Sequence, residues 1–237
     1  MIKNVLFDLD GTLLGMDQDL FVKAYFGKMC MHMAHRFEPE KLVKAIWDAT
    51  GAMVMNDGSQ TNEEVFWKVF DHKLGMDTTS FRHEFDEYYE NEFDSVVEQT
   101  CVPSPICAES IKLLKSKGYK VIVATNPIFP AIATRKRMIH GGFDPNDFEL
   151  VTTYENCHYS KPNPKYYMEI MEKCGLDPAE CMMVGNDCDE DMVATTLGMK
   201  FCLVTDDLIN KHNKEITADF VGTREELYHY FEEMVNG

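Results

Sequence analysis

Two kinds of hydrophobic pattern run along the chain, and the change between them divides it. An unbroken apolar run, Val5-Leu6-Phe7, starts almost at the first residue and stops at Asp8-Leu9-Asp10-Gly11. A short continuous run bounded by glycine predicts a buried strand. Over residues 17–98 the apolar positions instead recur at helical spacing, with no strand pattern. Helices are predicted over residues 17–37, with Leu20, Tyr25, Phe26 and Met29 among the apolar positions, and over 38–50, with Pro39 in the first turn. Thr61 or Asn62 caps a third that turns Val65, Phe66, Val69 and Phe70 to one face, and residues 79–94 predict a fourth.

From Cys101 onward strands and helices alternate. Strands are predicted over 119–124, 148–152, 181–184 and 200–204, and helices over 104–116, 129–140, 164–174, 189–197 and 224–234. Glycines close several of these helices, among them Gly118, Gly141 and Gly175. This rhythm implies a mainly parallel sheet covered on both faces, with the first strand a member. The expected fold class is therefore α/β. It has a doubly wound core of residues 1–15 and 99–237, interrupted after its first strand by an all-helical insertion of residues 16–98.

Composition narrows the function classes. The chain has 237 residues, 45% hydrophobic and 27% charged, which is ordinary globular composition. Lys and Arg number 23 against 40 Asp and Glu, a net charge of −17. Such a surface repels phosphate backbones and anionic lipid, so neither nucleic acid nor membrane is the expected partner. A small anionic substrate stays compatible where a metal and a lysine make the site locally positive. The eight cysteines form no C-x-x-C pair, and no charged-then-apolar leader opens the sequence, so free thiols in the cytoplasm are expected.

The candidate chemistry begins at Asp8 and Asp10. Residues i and i+2 of a strand share a face, so the two carboxylates emerge together where Gly11 lets the chain turn. Their repulsion calls for a cation or a shared proton, and the pair suggests one nucleophile and one acid/base. Asp-x-Asp-Gly also opens calcium loops, but the Leu-Leu-Gly-Met that follows lacks the further oxygen ligands.

Ligands of open α/β sheets gather beyond the C-terminal strand ends. Thr125 and Asn126 follow one strand, where a hydroxyl and backbone N–H groups suit an anion or bond their own turn. Lys161 precedes Pro162 in the loop after another, although most lysines serve only the surface. Asn186, Asp187, Asp189, Glu190 and Asp191 follow a third, where acids suit a cation or cap a helix.

In order and context these segments resemble the haloacid dehalogenase superfamily of phosphohydrolases. Val5 to Thr12 matches its first motif, Val121 to Thr125 its second, Lys161-Pro162 its third and Val184 to Asp191 its acidic fourth. The helical insertion looks like the family's cap. One departure stands in the fourth motif, where Asn186 follows Gly185 and the acids are Asp187 and Asp191. Either Asp187 takes the metal-facing place or Asn186 fills it as a neutral oxygen ligand, and a carboxylate binds Mg²⁺ better than an amide does. Asp189 and Glu190 are expected to be exposed.

The resemblance implies Mg²⁺-dependent hydrolysis of a small phosphorylated metabolite through an aspartyl-phosphate on Asp8. Asp10 is then the acid/base. Thr125, Asn126 and Lys161 bind the phosphate, and the metal ligands are drawn from Asp8, Asp10 (through its carbonyl), Asn186, Asp187 and Asp191. A phosphomutase of the beta-phosphoglucomutase type would use the same residues, and a catalytically silent binding protein would keep only the fold.

Overall fold

A computed structural model describes residues 1–236. Its main sheet has five strands in the order β4 (Lys120–Val123), β1 (Asn4–Phe7), β5 (Cys181–Gly185), β6 (Lys200–Val204) and β7 (Phe220–Gly222). All pairings are parallel, and Phe7 of β1 lies opposite Val123 of β4 and Val184 of β5. The exits of β1, β4 and β5 are thereby side by side.

Alternation along the strands sorts their apolar residues to two faces. Val5, Phe7, Val121, Val123, Met182 and Val184 join one core, with Ile111 and Leu114 of α6 (Pro105–Ser116) and Leu227 and Phe231 of α9 (Arg224–Asn236). Leu6, Ile122, Met183, Phe201 and Leu203 join the other, beneath Tyr166, Tyr167 and Ile170 of α8 (Pro164–Cys174). Helices on both faces of a parallel sheet make this the expected doubly wound α/β core. No helix among the described residues is long and apolar enough to cross a membrane.

The chain leaves and re-enters this core through a two-stranded antiparallel ribbon, β2 (Leu14–Met16) against β3 (Cys101–Pro103), with Gly15 opposite Val102. Between them lie α1 (Gln18–His32), α2 (Pro39–Val54), α3 (Asn62–Leu74), α4 (His83–Asn91) and α5 (Phe93–Thr100), which form the cap. Asp17 starts α1 by accepting from the Leu20 N–H at 2.9 Å. Thr61 and Glu64 start α3 with a reciprocal capping box.

Several elements depart from the sequence reading. Leu20 faces outward at 45% exposure, while Phe21, Tyr25 and Met29 form the buried stripe of α1. The helix expected over 79–94 is a short 3₁₀ turn followed by α4, and it breaks at Glu92, whose carboxylate is held by His32 at 2.8 Å. Residues 148–152 donate and accept beside β4 but form only a single bridge, at Val151. The helix expected over 189–197 is a 3₁₀ segment, Met192–Leu197. There the Thr195 and Thr196 hydroxyls donate to the carbonyls three residues back, competing with α-helical geometry.

Candidate active site

The site begins at the exit of β1. The Asp8 N–H donates to Val184 O at 2.9 Å, which registers the first residue beyond β1 against β5. Gly11 then turns the chain with φ +87°, and a Cβ there would meet the Asn186 amide nitrogen at 2.2 Å. Arg224 of α9 clamps the turn by donating to the carbonyls of Gly11 (2.8 Å) and Thr12 (2.7 Å) and to the Asp207 carboxylate (2.5 Å). So placed, Asp8 and Asp10 face one chamber of about 270 Å³, together with Thr125, Asn126, Asn186 and Asp187. Glu190, Asp191 and cap residues complete the wall.

Lys161 stands behind this wall. Its side chain is fully buried, and its ammonium donates to Asp8 Oδ1 at 2.8 Å and Asp191 Oδ1 at 2.6 Å. The other oxygen of Asp191 accepts from the Asp187 N–H at 3.0 Å. Gly185 makes room for this carboxylate, since a Cβ there would lie 2.1 Å from Asp191 Oδ2. Both Asp191 oxygens are thus committed within the protein.

The remaining candidates divide by what already holds them. Thr125 is anchored through its carbonyl, which accepts from the hydroxyls of Thr152 (2.7 Å) and Tyr166 (2.8 Å). Asn126 donates its amide nitrogen to both oxygens of Glu190, at 3.1 and 3.0 Å. Asn186 accepts from the Thr12 hydroxyl at 3.0 Å and donates to Asp207 O at 2.7 Å, which ties it to the turn beneath Asp10. Asp187 caps the backbone N–H groups of Asp189 and Glu190 with Oδ1 alone. The exposure expected of Asp189 and Glu190 is not found. Asp189 is half-buried and paired with His212 and Lys214, and Glu190 is held by Asn126.

Sequence reasoning missed Arg137. It lies on α7 (Ala131–His140), is 2% exposed, stacks over Phe129 at 4.7 Å and is ion-paired with Asp10. The available signal was its place on the buried stripe of α7 beside Ala133, Thr134 and Met138, where a charge needs a partner. Arg224 was missed as well.

Five carboxylates and two cations meet here, and burial dominates the balance. Asp8 is raised above the ordinary carboxyl range by burial, against the pull of Lys161. Asp10 is raised by burial against Arg137, and Asp187 by burial against its backbone donors. Asp191 is pushed up to about 6 and Glu190 to about 8, both chiefly by burial. Among the described residues the two buried side-chain polar atoms without a partner are Asp10 Oδ1 and Asn126 Oδ1, and both residues line this chamber. Orphans confined to one cavity, amid excess negative charge, fit a site completed by a cation. No cluster of three His, Cys, Asp or Glu ligands occurs among the described residues. Mg²⁺ does not require one, because it keeps several waters and takes one or two carboxylates from the protein.

A family model of haloacid dehalogenase-like hydrolases matches residues 2–194. The chain belongs to that family. Within it, pyrophosphatase PpaX of Bacillus pumilus is 24% identical over 199 residues, 84% of this chain and 81% of its own length. Glyceraldehyde 3-phosphate phosphatase of Methanothermobacter thermautotrophicus is 34% identical over 107 residues, 45% of this chain and 46% of its own. Among solved structures, a haloacid dehalogenase-type phosphatase from Thermococcus onnurineus superposes with a TM-score of 0.57 at 21% identity, over 97% of each chain. L-2-haloacid dehalogenase from Xanthobacter autotrophicus superposes with 0.61 at 17% identity, over 99% of this chain and 100% of that one. Both structural likenesses show the fold.

Proposed function

We propose that this hydrolase cleaves a small phosphomonoester with Mg²⁺, through a phosphoryl group carried on Asp8. The observation that carries the reading is the setting of Asp8. It lies just beyond β1, an interior strand of the sheet, on a chamber wall, one oxygen held 2.8 Å from a buried lysine, with Asp10 on the same wall. Relatives named as a pyrophosphatase and a phosphatase support phosphoryl chemistry. Asp8, Asp187 and the backbone carbonyl of Asp10 would hold Mg²⁺, which when bound offsets the charge between an anionic nucleophile and an anionic ester. The prior engagement of Asn186 by Thr12 and Asp207 favours Asp187 as the fourth-motif ligand.

The protein groups then act in two steps. Asp8 attacks in line, so that its bond to phosphorus forms as the bond from phosphorus to the ester oxygen breaks. Asp10 gives that oxygen a proton, then takes one from the water that attacks the phosphorylated Asp8. Inorganic phosphate leaves and both carboxyls are restored. Burial favours the protonated Asp10 that the first step needs, and Arg137 favours the anion that the second needs. Thr125 and neighbouring N–H groups orient the phosphoryl oxygens, and Lys161 favours the ionised form of Asp8 from behind, against the opposing effect of burial. Eight free cysteines support a reducing, cytoplasmic setting.

The test is release of inorganic phosphate from an aryl phosphate with and without Mg²⁺. Release is expected only with the metal, and Asp8→Asn is expected to lower it by about 10³-fold or more while the protein stays folded. Undiminished release by the Asp8→Asn protein would remove the nucleophile assignment. A rearranged ester in place of free phosphate would mark a mutase.

A further inference from the structure

The cap end of the chamber differs chemically from the phosphate end. It is walled by Phe26, Trp47, Phe66, Trp67, Phe85 and Tyr89. These rings form contact runs, with centroids 5.5 Å apart for Phe26 and Trp47, 5.2 Å for Phe66 and Trp67, and 5.5 Å for Trp67 and Phe85. Tyr154 of the core continues one run at 6.2 Å from Phe66. The charged side chain that the cap adds to this wall is Asp86, and among the described residues no cap lysine, arginine or histidine lines it. Among the described residues the single cation on this wall is Arg137, already bound to Asp10. Arg82 lies over the Trp67 ring at 4.5 Å, but its charge is taken by Asp71 at 2.7 Å.

We propose that this end of the chamber seats an organic cation, so that the substrate is a phosphomonoester of an amino or quaternary-ammonium alcohol. The proposal rests on the phosphatase reading above and names its substrate class. Aromatic faces attract ammonium groups through their quadrupoles, most strongly in desolvated surroundings. A leaving group with a carboxylate or a second phosphate would find no free cation there and would meet Asp86 as a like charge. Rings alone would also take a neutral apolar alcohol, and the carboxylate is what favours the cation over it. Asp86 is raised by partial burial and by Glu90 and Glu155, and Glu63 is raised by burial and by Glu155. Arg82 offsets Glu63 and His83 offsets Asp86 only in part, and none of these four acids has an ion-pair partner among the described residues. Asp86 therefore adds to the cap end of the wall a negative charge with no ion-pair partner among the described residues, with Glu90 and Glu155 near enough to raise it further. Hydrolysis would leave the ammonium alcohol with the Asp10 proton on its oxygen, and the oxygen of water on phosphorus.

The experiment uses a built-in reporter, since the chain has two tryptophans and both line the chamber. The full-length protein is titrated with choline and with 3,3-dimethylbutan-1-ol, its uncharged shape analogue, and tryptophan fluorescence is followed without any turnover. Choline is expected to bind at least about tenfold more tightly than the neutral alcohol. Asp86→Asn is expected to remove most of that difference while leaving the neutral alcohol's affinity unchanged, which also shows that the variant is folded. Equal affinity for the two alcohols, or a difference that survives Asp86→Asn, would overturn the proposal. A second arm measures phosphate release with Mg²⁺ from phosphocholine, 3,3-dimethylbutyl phosphate and phosphoglycolate, with kcat/KM expected to fall in that order. Turnover of all three without preference overturns the cation seat and leaves the hydrolase reading standing. Choline binding with no ester cleaved supports the seat and overturns the hydrolase reading.

Discussion

Arg137, buried on α7, holds the carboxylate of Asp10 from inside the core. The pair joins the second catalytic candidate to a helix that the first motif never touches in sequence. Arg137→Met is expected to leave Asp10 as an unpartnered buried acid and to lower unfolding free energy by about 3–5 kcal/mol, read from urea denaturation. Adding Asp10→Asn to that variant should recover a large part of the loss, because no charge is then stranded. A double variant as unstable as the single one would mean that Arg137 matters through packing on Phe129 instead.

Lys161 joins two carboxylates that would otherwise face each other, and the two joins differ in consequence. Lys161→Met removes the counter-charge of the proposed nucleophile, and kcat is expected to fall by about 10²–10³-fold. Asp191→Asn keeps the contact between Lys161 and Asp8, so its expected loss is only about tenfold. Steady-state phosphate release by the two purified variants checks the ranking. Equal losses would place the function of Lys161 in holding Asp191 rather than in charging Asp8.

Burial of Glu190 makes the metal-free protein pH-sensitive in a direction opposite to that of most acids. Its carboxyl ionises at about 8 in the folded protein and at its ordinary 4.5 once unfolded. Between those values the folded state binds more protons, so stability is present at low pH and declines as pH rises through the window. The slope from this one group is at most about 1.4 kcal/mol per pH unit. Asp8, Asp10, Asp187 and Asp191 are raised too and act in the same sense. Glu190→Gln is therefore expected to flatten the fall in urea midpoint between pH 5 and pH 8 without abolishing it. An unchanged slope would mean that Glu190 is already ionised in the folded protein.

The sheet and the site differed in how much of them local pattern carried. Apolar runs ending in Asp8, Thr125 and Gly185 were readable because a strand buried on both faces leaves a continuous signature, and its polar exit stands out. Residues 148–152 carried a strand pattern but reach only a single bridge, at Val151, while the edge strand β7 left almost no mark, since an edge of a few residues needs little apolar surface. Arg137 hid in the run Arg135-Lys136-Arg137, where only its phase on the buried stripe of α7 sets it apart. Glu190 read as an exposed acid because its partner, Asn126, is 64 residues away in sequence. Local pattern reports which face a residue takes and is silent about what it meets there.

Asn62 is the remaining case of a residue whose meaning lies across an interface. As the first residue of α3 it looked like half of a helix cap, but Thr61 does the capping. The Asn62 side chain is fully buried and donates to Pro127 O and Ser160 Oγ, each at 3.1 Å, and accepts from Asn56 at 2.9 Å. The backbone N–H groups of Asn62 and Glu63, which a helix start leaves free, donate to Cys157 O and Tyr154 O. Cap and core are therefore latched beside the loop that delivers Lys161. Asn62→Ala leaves the Pro127 carbonyl without its donor and the Asn56 amide with only its bond to Gln60 O, and is expected to cost about 1–3 kcal/mol in closed-state stability. A cap that opens more readily should raise KM and speed amide exchange at the start of α3, while exchange in β1 and β5 stays as it was. Faster exchange throughout the central sheet would show that Asn62 supports the whole fold rather than closure of the cap.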